Sequence, residues 1–114
     1  MAELTEAIRG TAIHLIEDYL ETLAVGNEKK ASVQELNLNG SKLSFKAEVV
    51  SKQRNKLWAG QYITVYSITT TVTAEVDLLN IAGSDVKVCV NTPAGPACAD
   101  IDDLARALAG VIGV

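Results

Sequence analysis

Nineteen residues, Gln61–Leu79, form a run rich in isoleucine, valine, threonine and tyrosine, the side chains that suit a pleated backbone. This run limits the fold more than any other segment. Tyr62, Tyr66, Ile68, Val72, Ala74, Val76 and Leu78 share one parity. Thr69, Thr71, Thr73, Glu75 and Asp77 share the other, together with Ile63 and Val65. The later half therefore reads as a strand with one buried face, and the earlier half as apolar on both. As one straight strand it would span about 60 Å at roughly 3.3 Å per residue. A domain of this length has a radius of gyration near 13 Å. The strand must bend, carry a bulge, or project and pair with another molecule, and Ser67–Thr71 is the expected place for a bend.

The strand needs neighbours, and the segment before it supplies them. Residues 33–49 alternate around Asn39-Gly40, so that Leu36, Leu38, Leu43, Phe45, Ala47 and Val49 share one face. Glu35, Asn37, Lys42, Ser44, Lys46 and Glu48 share the other. Asn-Gly suits a two-residue type I′ turn, whose central residues both take positive φ. That register sets Leu38 opposite Ser41 and Leu36 opposite Leu43. Residues 52–56 then read as a polar connection ending near Gly60.

Leu4 to Val25 has helical periodicity. Leu4, Ile8, Ala12, Leu15, Ile16, Tyr19, Leu20 and Leu23 fall on one side and Glu3, Glu6, His14, Glu17, Asp18 and Glu21 on the other. Gly26-Asn27 is a suitable stop. Val86, Val88 and Val90 alternate as a fourth strand, and residues 91–97, with both prolines, read as a loop. A short helix is expected from Asp100, a good N-cap, with Asp102 and Asp103 in its first turn. Its apolar stripe is Ile101, Leu104, Ala105, Leu108 and Val111.

The expected fold is thus one α+β domain over residues 1–114, in the order α-β-β-β-β-α. A four-stranded antiparallel sheet carries the first helix across its apolar face. The arrangement resembles cystatin-like and cone-shaped architectures at the level of fold, a likeness that brings no functional residue with it.

The chain of 114 residues is 48% hydrophobic with a net charge of −4, enough for a real core and too acidic for general nucleic-acid binding. The charge is segregated: residues 29–56 sum to +5, residues 1–28 to −5 and residues 57–114 to −4. A mean hydropathy of +0.19 is high for a small soluble monomer, so apolar surface calls for cover by a second copy or by an apolar ligand. The N-terminus lacks the pattern of a secretory signal, and no apolar run is long enough to span a membrane. Both features point to the cytoplasm. Cys89 and Cys98 then read as reduced thiols, with a bridge across the Pro-Gly loop as the alternative in an oxidising compartment.

Candidate chemistry is sparse. His14, the sole histidine, sits on the polar side of its helix, with no cysteine at a spacing that suggests a catalytic pair. Asp100, Asp102 and Asp103 lack the glycine and closing glutamate of a calcium loop, and helix capping accounts for them. Lys52, Arg54 and Lys56 suit a solvated hairpin tip or an acidic partner. No catalytic residue, metal site or cofactor is expected. The residues expected to meet a ligand or an interface are Trp58, Tyr62, Tyr66, Tyr19, Leu108 and Val111, where large aromatic and apolar side chains fit either role. The leading function is a non-enzymatic homo-oligomeric assembly or protein-interaction domain. A carrier holding an apolar small molecule between sheet and first helix comes second, and a small enzyme using carboxylates third.

Overall fold

A computed structural model describes residues 4–84 and 86–113. It is α+β with antiparallel sheets, and the strands divide differently from the expected set. Helix α1 (Glu6–Glu21) leads into β1 (Glu28–Asn39), β2 (Lys42–Lys56) and β3 (Tyr62–Asp77), which form one sheet in that spatial order. A single turn of helix, α2 (Ile81–Ser84), precedes β4 (Lys87–Thr92) and β5 (Gly95–Asp100). These two form a separate hairpin, and α3 (Asp102–Ile112) closes the chain. The single four-stranded sheet gives way to a three-stranded sheet plus a two-stranded one. The segment read as a Pro-containing loop supplies β5. Pro96 is tolerated there because a two-stranded ribbon leaves each strand one side on which no donor is needed.

The β4–β5 hairpin also overturns the thiol expectation. Its register sets Cys89 opposite Cys98, and the two are bonded to each other. Val88 and Val90 point the other way, into the core, while both cysteines face solvent. Closing a loop of this size removes roughly 2–3 kcal/mol of chain entropy from the unfolded state. That helps a ribbon of two six-residue strands, which would be marginal alone.

Helix α1 begins at its Thr5 cap, whose hydroxyl accepts from the Ile8 amide at 3.3 Å. It ends at Glu21 rather than Val25. Ala12, Ile16 and Leu20 are buried, with Leu4, Ile8, Leu15, Tyr19 and Leu23 packed around them. The helix lies along β1 and against α3 more than across the middle of the sheet. Glu17 and Glu21, read from the sequence as solvent-facing, bond to the outer edge of β1. They accept from the Val33 amide at 3.0 Å and from the Ala31 amide at 3.1 Å. Arg9 donates to the Leu36 carbonyl at 2.8 Å, so three side chains of one helix stand in for a missing strand.

The β1–β2 hairpin keeps its expected faces but closes one residue later. Asn39 pairs with Lys42, Leu38 with Leu43 and Leu36 with Phe45, leaving Gly40-Ser41 as the two-residue loop. Gly40 has φ +65°, while Asn39 and Ser41 stay outside the positive region, so the turn is not type I′. Two contacts favour this register. Ser41 donates to Asp77 at 2.7 Å and its carbonyl accepts from the Leu78 amide at 2.8 Å, locking the loop to the end of β3. A bulge at Gln34 then resets the parity of β1, turning both Ala31 and Leu36 inward.

The inward face of the sheet meets α1, α3 and β4 in one core. Leu43, Ala47 and Val49 of β2, Val72 and Val76 of β3, and Ile101, Leu104 and Leu108 of the C-terminal segment are all buried there. Helix α3 therefore docks on its own chain. Ile101, one residue later than the expected Asp100, occupies its N-cap position without a side-chain bond, while the Asp100 carboxylate accepts from the Asp102 amide at 3.3 Å. Ser51 and Thr70 are the buried polar side chains among the described residues. Each accepts from a backbone amide that would otherwise be unpaired, Val25 at 3.1 Å and Asn91 at 3.0 Å.

Between α1 and β1 the chain crosses β2 at Gly26, with φ +102°; a Cβ there would lie 2.1 Å from the Lys52 carbonyl oxygen. Gly26 is thus a crossing point rather than a helix stop. Gly40 also has positive φ but open space around it. Gly26→Ala is therefore expected to cost about 3 kcal/mol or more, through backbone overlap added to strain, and Gly40→Ala only about 1 kcal/mol. Thermal melts of the two variants check this: Gly26→Ala should fall by about 10 °C or more and Gly40→Ala by a few degrees.

Candidate functional site

The polar connection expected at residues 52–56 is absent, because β2 continues through it to Lys56. Strand β1 pairs only as far as Lys52, so beyond that point β2 and β3 run on alone as a two-stranded arm. The long extended run of the sequence is accommodated by projection. The molecule measures 58 × 28 × 18 Å with a radius of gyration of 16.1 Å, against about 13 Å for a compact domain of this length. No bend forms at Ser67–Thr71, where Thr70 is buried and paired. The irregularity is a bulge at Val65, between the Gln53–Tyr66 and Arg54–Thr64 pairs.

Side chains at the base hold the arm in place. Asn27 donates to the Arg54 carbonyl at 2.6 Å and accepts from its amide at 3.0 Å, continuing the ladder where β1 has ended. Arg54 lies 3.3 Å from Glu28 and 5.4 Å from the centre of the Tyr62 ring. At the tip the Leu57 amide donates to the Gln61 carbonyl at 2.6 Å, and Ala59 takes φ +70°. A non-glycine residue there stores roughly 1–2 kcal/mol of strain.

The arm carries most of the large apolar residues that face solvent. Trp58 is 91% exposed, and Leu57, Tyr62, Ile63 and Val65 are exposed beside it; among the described residues Leu79 is the other such residue, beyond the end of β3. Charge follows the same division. Residues 52–69, past the buried Ser51 and Thr70, hold Lys52, Arg54 and Lys56 and no acid, so the arm with its base is +3 and the net −4 leaves −7 on the rest.

The six residues expected at a ligand or interface site are not brought together. Trp58 and Tyr62 sit on the arm, and half-buried Tyr66 lies where it leaves the body, with its hydroxyl close to Gly26. Tyr19 donates its hydroxyl to the Asp100 carbonyl and ties α1 to the start of α3. Leu108 is fully buried in the core, and Val111 is half-buried on the same helix. The space between sheet and first helix is filled by Ile16, Leu20, Leu43 and Val49, each fully buried. Two depressions of about 400 Å³ each are open to solvent and lined largely by polar side chains. One lies on the outer face of the sheet, around Glu35, Lys46 and Glu75. The other lies beside Asp18, Glu21 and Lys29.

His14 is exposed, and with both cysteines bonded no free thiol is available to it among the described residues. Nor does any group of three or more His, Cys, Asp or Glu side chains among those residues converge as a metal would require. No helix among them is long and apolar enough to cross a membrane. In comparisons with known proteins the chain matches no family model, no curated protein and no solved structure. The open side of β3 had no signal in the pattern of its own residues, since a strand paired on both sides would read the same way.

Burial pushes the Tyr19 hydroxyl above its ordinary value of 10.0, with the carboxylates of Asp100, Asp103 and Asp102 adding to the shift. The folded state then holds this proton more tightly than the unfolded chain does. The resulting stability is complete below about pH 10 and is lost as pH rises through the folded-state value. Alkaline melts should show the wild type losing stability in that range. Tyr19→Phe should start about 1 kcal/mol lower at neutral pH, having lost one hydrogen bond, and decline less steeply above pH 10.

Proposed function

We propose that this chain is a non-enzymatic assembly domain that joins protein surfaces, foremost its own copies, through the projecting β2–β3 arm. The observation that carries this reading is the arm itself. It leaves the body with Trp58 at its tip, and it is basic while the body is acidic. Exposed apolar groups clustered on one protrusion suit a protein contact, and aromatic anchors of this kind supply much of the binding energy in such contacts. A carrier for an apolar molecule has less support, since the region it would use is occupied by core side chains. The exposed Cys89–Cys98 bond favours an oxidising compartment over the cytoplasm, because glutathione keeps accessible cytosolic thiols reduced.

Trp58 is the sole tryptophan, so its emission reports on the arm alone. Sedimentation at micromolar concentration should give a mass above 12.1 kDa. Trp58 emission should move to shorter wavelength as concentration rises, and raising the salt should reverse both changes. A species of 12.1 kDa with constant emission across the range contradicts the reading.

A further inference from the structure

The two edges of the main sheet are treated differently. The outer side of β1 is closed by Glu17, Glu21 and Arg9 of α1. The outer side of β3 is covered only in its later part, where the Asn91 amide reaches Thr70 and β4 packs nearby. From Tyr62 to Thr69 the backbone groups turned away from β2 have no partner among the described residues. Nor does that stretch carry the charged side chains or prolines that commonly guard an open edge. Residues 57–74 contain no charged side chain and no proline, in a strand of strong β-formers.

We propose that Tyr62–Thr69 of β3 is a self-pairing edge, at which two copies join antiparallel about a two-fold axis passing between Val65 and Tyr66. This rests on the assembly reading above and commits it to one geometry. In that register Tyr62 faces Thr69 of the second copy, Ile63 faces Ile68 and Thr64 faces Ser67. Opposed residues in an antiparallel ladder share both a face and a hydrogen-bonding side. In a regular strand residues 63 and 68 would lie on opposite faces. The bulge at Val65 changes that. Ile68 pairs with Ser51 and Ile63 with Asn55, which puts both on the inward side of β2, while Thr64 and Ser67 sit opposite Arg54 and Lys52 on the outward side. The one irregularity in β3 thus brings the strand into phase with its own reversed copy.

Charge favours the same occupant. Antiparallel overlap lays each arm, at +3, beside the body of the other copy, which holds the remaining −7. A two-fold contact uses each open edge once, so assembly closes at the dimer.

The register is tested by two double variants of exposed residues. In Thr64→Glu/Ser67→Glu each new carboxylate meets another across the two-fold axis. In Thr64→Glu/Ser67→Lys each meets an ammonium. Within one chain the preference runs the other way, because residue 67 sits opposite Lys52 and residue 64 opposite Arg54. The Glu/Glu chain is therefore the better-folded monomer, and its failure to dimerise cannot come from misfolding. Sedimentation equilibrium should give a dimer for the wild type, a dissociation constant at least tenfold weaker for Glu/Glu, and one equal to or tighter than wild type for Glu/Lys. A wild-type dimer with both variants unaffected, or with both weakened alike, overturns this pairing while leaving assembly standing. So does a wild-type assembly larger than a dimer. A monomeric wild type overturns the assembly reading and this inference together.

Discussion

Every backbone amide and carbonyl at the side of a sheet must find a partner or remain in water, and this requirement organises the whole chain. On one side of the β1–β2–β3 sheet it is met by a helix. Glu17 and Glu21 reach across to the amides of Val33 and Ala31, and Arg9 reaches the Leu36 carbonyl. These bonds tie α1 to the rim of the sheet, leaving room on the inward face for α3 and β4 to complete the core. On the other side β4 covers only the later part of β3. What remains is a strand that outruns its own domain and leaves part of its backbone solvated.

Packing sets how far the arm can extend before it stands alone. The core holds β2 and β3 inward as far as Ser51 and Thr70, both buried and both bonded to passing backbone. Past that level no helix or strand among the described residues covers the inward face. The ribbon is held instead by Asn27, Glu28 and the Arg54–Tyr62 contact. The Cys89–Cys98 bond sits in the β4–β5 ribbon, far along the chain from the arm. It stiffens the element that covers the rest of β3. Rigid body and uncovered arm are two results of the same distribution of apolar residues.

Much of this was legible in the residues. The helical periodicity from Leu4 to Leu23 marked the helix, and the alternation on either side of Gly40 marked which face of the hairpin is buried. The length of the 61–79 run showed that something had to project or bend. Features that depend on contacts between distant segments were not legible. Two bulges, at Gln34 and Val65, each reset a strand's parity. No local rule distinguishes them from a continued strand or from the turn expected at residues 52–56. The Asn39-Gly40 signal was outweighed by Ser41 bonding to Asp77, far away in sequence. Glu17 and Glu21 looked solvent-facing because helical periodicity sorts residues by polarity and is silent on which polar face meets a sheet edge. Pro96 made a strand look like a loop, and with the hairpin hidden the pairing of Cys89 with Cys98 was hidden too. Of the residues expected at a site, Trp58 and Tyr62 lie exposed on the arm. Tyr19, Leu108 and Val111 belong to the packing of the body.

On the proposed pairing, the outer backbone of β3 is open within one copy and closed between two. Amide hydrogen exchange, followed residue by residue across a dilution series, tests it most directly. Alternate amides between Tyr62 and Thr69 should exchange rapidly in dilute protein and become protected as concentration rises. Ala31 and Val33, held by the carboxylates of α1, should stay equally protected throughout. Protection of residues 62–69 that does not change with concentration would contradict it.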